Sequence, residues 1–171
     1  MDQGFHVTSG TLTSFLVLLL FVYGIPWIVT ELLIWRGSSS AKRRGAMGFR
    51  LACLLGAVVI SAVWMWLVFS VAHAGQFGPG HIIGAGLSGI AGMYLLVWWG
   101  LRRIKSWLVV ALVSGFYSAL GVGASFGLYG SSTDITGLWG VGMIYVAMFS
   151  LAACFLLAFT MVAIRRSNVD D

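Results

Sequence analysis

Five long apolar runs, at about 12–35, 51–72, 81–100, 107–129 and 137–164, are separated by short polar stretches. An α-helix rises about 1.5 Å per residue, so runs of this length cross a hydrocarbon core of about 30 Å, the longer ones with tilt. The pattern predicts an all-α, polytopic integral membrane protein: a five-helix transmembrane bundle in a single transmembrane domain spanning 1–171. Residues 1–11 carry no Lys or Arg and so lack the basic segment of a secretory signal. The first run is therefore expected to stay in place as a helix. Pro26 lies inside that run; it has no N–H and its ring crowds the preceding turn, which predicts a kink or local unwinding. The longest polar stretch, RGSSSAKRRGAMGFR at 36–50, is rich in Gly and Ser and predicts a flexible loop. Gly78, Pro79 and Gly80 mark a turn before the third run.

Two runs carry small residues at every fourth position. The third has Gly80, Gly84, Ser88 and Gly92, and the fourth has Ala111, Gly115, Ala119, Gly123 and Gly127. A spacing of four holds such residues on one helix face, and in lipid a face of small residues lets two backbones approach closely. Helices 3 and 4 are thus expected to pack tightly together as the core on which the others assemble. A second pair, Ala85 and Gly89, lies beside the first ladder. The alternative use of such faces is docking a membrane protein partner or a second copy in a homo-oligomer.

Composition and charge sharpen this picture. The chain is 60% hydrophobic and 9% charged, with mean hydropathy +0.98, whereas soluble domains carry roughly a quarter charged residues. All 10 Lys and Arg residues fall in the stretch 36–50, the stretch 101–106 and the tail. Basic loops stay cytoplasmic, so the N-terminus is expected outside and the C-terminus in the cytoplasm. Trp35, Trp98, Trp99 and Trp107 then form the inner aromatic belt, with Tyr129 and Trp139 in the outer one. Topology accounts for the net charge of +5, so the expected partner is the lipid bilayer and no nucleic acid is implied. Compact size and short loops point to a multi-pass protein of a bacterial cytoplasmic membrane.

Candidate chemistry is sparse. Glu31 is the only acid inside an apolar run, and ionisable groups in membrane helices are costly and often functional. Beside Pro26 it can take a cation or a proton; the competing reading is an interfacial carboxylate paired with Arg36, Arg102 or Arg103. Trp27, Trp64 and Trp66, with Tyr117 and Tyr145, are placed at similar depth, where their rings line a pocket for an apolar or cationic ligand or simply pack with Ser61, Ser114 and Ser118. His6, His73, His81, Asp2 and Asp134 all fall on the outer side as solvated loop residues without metal-site spacing. Cys53 and Cys154 carry no spacing motif and lie at different depths, which favours packing over a disulfide. There is no Gly-rich phosphate loop with Lys, no G-x-S-x-G, no H-E-x-x-H and no pair of membrane aspartates, so an enzyme is not expected and no cofactor is identified. The favoured reading is a small-solute transport protein, or a membrane-embedded subunit of a transport complex, with ligand-binding residues Glu31, Trp27, Trp64 and Trp66. The alternative is a structural or regulatory membrane partner with no ligand of its own.

Overall fold

The computed structural model describes residues 9–37, 40–67, 79–133 and 138–170, and all regular structure among them is helical. The helices are α1 Ser9–Gly37, α2 Ser40–Trp66, α3 Pro79–Arg103, α4 Trp107–Thr133 and α5 Trp139–Asp170. Each contains a span long and apolar enough to cross a membrane: Leu12–Arg36, Met47–Trp66, Pro79–Arg103, Trp107–Ser131 and Trp139–Arg165. Leu20, Phe21, Phe149 and Leu156 are among many large apolar side chains left exposed, which is the surface a lipid solvent requires and water would not tolerate.

Two local expectations change. The stretch 36–50 is helix from Ser40 onward. Its Ala41, Lys42, Arg43 and Arg44 are good helix formers, and their propensity outweighs the glycines at 45 and 48. As a result Arg50 sits on a helix with a fixed direction instead of in a flexible loop. The expected unwinding at Pro26 does not occur, because α1 runs as one helix through it. The missing proline N–H leaves only the Val22 carbonyl without its helical donor, which one helix in lipid accommodates.

The bundle is organised around α4. In an 18-residue apolar window of each span, 67% is buried in α4, against 11% in α1, α2 and α3 and 17% in α5. Small residues on several α4 faces let three neighbours close on it at once. A Cβ at Gly115 would lie 2.6 Å from the Phe155 ring of α5, and one at Gly127 would lie 2.8 Å from both Met143 of α5 and Phe15 of α1. At Gly123 it would run into the Tyr23 hydroxyl of α1. Gly121, off the fourfold ladder, faces α2, where a Cβ would lie 2.6 Å from the Leu54 carbonyl oxygen. Ala111 and Ala119 are fully buried.

The pairing of helices 3 and 4 as a mutual core is therefore corrected. The α3 ladder turns to α2, where Gly84 receives the Trp64 ring and Gly92 would meet Ile60 at 2.7 Å, while Gly80 meets nothing within 4 Å. Ser88 accepts the Trp64 indole N–H at 2.8 Å and itself donates to the Ala85 carbonyl. Small ladders need large partners to fill them; two small faces laid together would leave voids and forfeit dispersion contacts. Buried residues Ile34, Phe49, Cys53, Val97, Val110 and Val162 form the core at the end carrying Arg50, Arg102 and Arg103. Phe15, Tyr23, Phe116, Met143 and Ala147 form it toward the other end.

Candidate functional site

The extended α2 carries Arg50 against α1. There the guanidinium Nη2 donates to Glu31 Oε2 at 2.7 Å. The other carboxylate oxygen, Oε1, accepts the Tyr117 hydroxyl of α4 at 2.8 Å. The Arg50 guanidinium carbon stands 6.0 Å from the Tyr117 ring centroid, within cation–π range. Three helices thus meet at one charged cluster inside the apolar spans. The side chains are 29% exposed at Glu31 and 14% at Arg50, so the pair is shielded yet reachable. Arg50 Nε is enclosed and has no partner among the described residues. A guanidinium has five donors and a carboxylate about four acceptor sites, so both charged groups keep capacity beyond the contacts they make.

The cluster opens on a cleft of about 490 Å³ along α1, lined by Trp27, Ile28, Glu31, Leu32, Trp35 and Arg50 together with Ile34. Its size falls within the range of small-molecule sites. Trp27 is half-exposed on its wall. Trp27 also lines a second, apolar groove of about 190 Å³ with Leu19, Leu20, Tyr23, Gly24, Phe116 and Leu120. A third cavity, about 220 Å³, lies between α2, α3, α4 and α5; Ser118 lines it with an enclosed hydroxyl that has no partner among the described residues.

Of the residues expected to form one ligand site, Glu31 and Trp27 come together. Trp64 and Trp66 do not join them. They lie about four turns along α2 from Arg50, so the expectation of similar depth is corrected. Trp64 is taken up by Gly84 and Ser88 and meets His81 edge-on at 6.5 Å. Trp66 is 63% exposed on the lipid face, and Tyr145 is likewise exposed. Neither Arg102 nor Arg103 pairs with Glu31: each stacks on a tryptophan one turn back, Arg102 on Trp98 at 3.7 Å and Arg103 on Trp99 at 4.9 Å. Arg50 is the member that sequence reasoning did not assign to this site; Tyr117, expected among the pocket aromatics with Trp27, joins it through its hydroxyl. The available signal for Arg50 was a cation directly at the start of an apolar run, in a stretch able to continue as helix.

Cys53 and Cys154 are free thiols, Cys53 buried in the α2 core and Cys154 lining the third cavity. His6, His73, Asp2 and Asp134 lie outside the described residues, and among the described ones no three His, Cys, Asp or Glu side chains converge as a metal site. Fold and surface define the class as a helical multi-pass membrane protein, with five spans among the described residues. Comparison with known family models, curated proteins and solved structures gives no match, and the functional reading rests on geometry.

Proposed function

We propose that this is a small-solute transport protein, or the membrane-embedded subunit of a transport complex, with Glu31, Arg50 and Tyr117 as its ligand-handling centre. The observation that carries the reading is the ion pair itself. It sits within membrane spans, is held by a third helix, and adjoins a cleft of ligand size. A charge at the centre of a membrane helix costs about 2.5–3.5 kcal/mol on insertion scales, and pairing plus an off-centre position lowers that cost. A paired acid and base that each retain free capacity can exchange their mutual contact for contacts to a passing solute. In this reading the basic helix ends face the cytoplasm, with the N-terminus outside. A thiol reagent applied from the cytoplasmic side alone should label Lys105→Cys in a cysteine-free background.

The test is uptake of isotope-labelled amino acids, ethanolamine, choline and betaine into proteoliposomes. A solute uptake that Glu31→Gln and Arg50→Gln both remove, and Trp66→Ala leaves intact, supports the assignment. An uptake that survives Glu31→Gln unchanged would remove this centre from the pathway.

One observation favours the second reading, a membrane partner without its own ligand. On α3, Gly80, Gly86 and Gly89 would each accept a Cβ with nothing within 4 Å, so a small-residue surface stays unused among the described residues. Native mass spectrometry of protein released from its own membrane in mild detergent decides this: a defined hetero-complex supports the partner reading, and a lone protomer opposes it.

A further inference from the structure

The cleft and the groove that meet at Trp27 differ in chemistry. The cleft holds one cation and one anion in contact, so its local charge is balanced. The groove is apolar and continues along α1 toward the bilayer centre, past Gly24. Glu31 and Arg50 lie within one to two turns of the ends of their spans at Arg36 and Met47, the depth of lipid headgroups. A generic basic surface would collect anionic lipid. A balanced pair instead repels a lone anion at Glu31 and a lone cation at Arg50, and complements a molecule carrying both charges.

We infer that this site holds a zwitterionic phospholipid of the phosphoethanolamine class. Its phosphate takes the donors that Arg50 keeps on the cleft side, where charge-assisted contacts to guanidinium are strong. Its ammonium donates to the Glu31 carboxylate beside the Trp27 ring, where a cation gains from the indole face. One acyl chain follows the groove over Gly24, which exists because a Cβ there would meet nothing within 4 Å. Phosphate and ammonium also occur in the free headgroup, but the apolar groove argues for the chain-bearing form. The inference rests on reading the cleft as a ligand site and does not depend on any molecule being carried across.

The test uses the full chain in nanodiscs of equal phosphatidylethanolamine and phosphatidylglycerol, followed by native mass spectrometry of the lipid retained on release. The wild type should retain phosphatidylethanolamine over phosphatidylglycerol by about tenfold, equivalent to about 1.4 kcal/mol. Glu31→Gln should abolish that preference. Gly24→Leu fills the groove without touching the ion pair, and should lower retention while the thermal melt stays at the wild-type value. Equal retention of both lipids by the wild type, or undiminished retention in Gly24→Leu, overturns the inference. Displacement by soluble glycerophosphoethanolamine as effectively as by the intact lipid overturns it too, making the occupant a free zwitterion. Lipid retention without any solute uptake in the same protein leaves the inference standing and removes only the transport reading.

Discussion

Tyr23 crosses α4 at Gly123, and its hydroxyl donates to the Ala119 carbonyl at 3.0 Å. The same hydroxyl lies 3.4 Å from Ser150 Oγ of α5, so one buried side chain ties α1, α4 and α5. Only a residue without a Cβ admits the ring there. Gly123→Leu is expected to prevent α1 from docking and to abolish the folded bundle in a detergent-unfolding titration. Tyr23→Phe keeps the ring and loses the hydrogen bond, and should cost about 0.6 kcal/mol, up to about 1.7.

The glycine most sensitive to the smallest enlargement is Gly121. Its neighbour is the α2 backbone at Leu54 and Val58, which cannot swing aside as a side chain does. Gly121→Ala should destabilise by about 1–3 kcal/mol, while Gly80→Ala and Gly89→Ala, both facing open space, should leave the midpoint unchanged. Equal midpoints for all three would show that α2 and α4 do not approach as described.

Gly84→Leu should displace the Trp64 ring from its slot and break its hydrogen bond to Ser88. Trp64 fluorescence then reports the change, read in a background where the other tryptophans are Phe. An emission maximum identical to that of the parent would contradict the α2–α3 contact. Loss of the small face on α3 should loosen α3 from α2 and leave the α4–α5 pairing intact.

A double-mutant cycle measures the ion pair. Glu31→Gln or Arg50→Gln alone leaves the partner charged in a low-dielectric site and should cost about 1–3 kcal/mol, below the figure for a fully buried pair because Glu31 is partly exposed. The double variant should recover much of that loss. Strict additivity would mean the two side chains do not interact.

Ser118 carries an enclosed hydroxyl with no partner among the described residues, beside a cavity of about 220 Å³. Removing an unsatisfied buried polar group relieves a penalty of about 1–3 kcal/mol, so Ser118→Ala should raise the melting midpoint. A lowered midpoint would instead indicate a hydrogen-bonded occupant of the cavity.

Helix existence was legible because each run of apolar residues reports directly on its solvent. The boundaries of α3 and α4 fall close to the runs that predict them. The ladders on 80–92 and 111–127 were legible as close-packing faces, a reading that fails at Gly80, but not which neighbour each one faces. Glu31 was legible as an isolated acid. Arg50 was hidden because a Gly- and Ser-rich stretch reads as loop, while Lys and Arg propensity continues the helix through it.

The sequence by itself determined the solvent, the number of crossings and the residues able to sit at close contacts. These follow from composition counted along one dimension. Only the tertiary structure decided that α4 is the hub, that Trp64 of α2 packs into the small face of α3 and that Glu31 meets Arg50 and Tyr117. The reason is physical. In water an amphipathic pattern tells each helix which side to bury, whereas lipid is as apolar as the side chains themselves. Helix rotation and neighbour choice are then set by the fit of large side chains into small-residue gaps and by a few polar pairs, and those relations exist only once the helices are together.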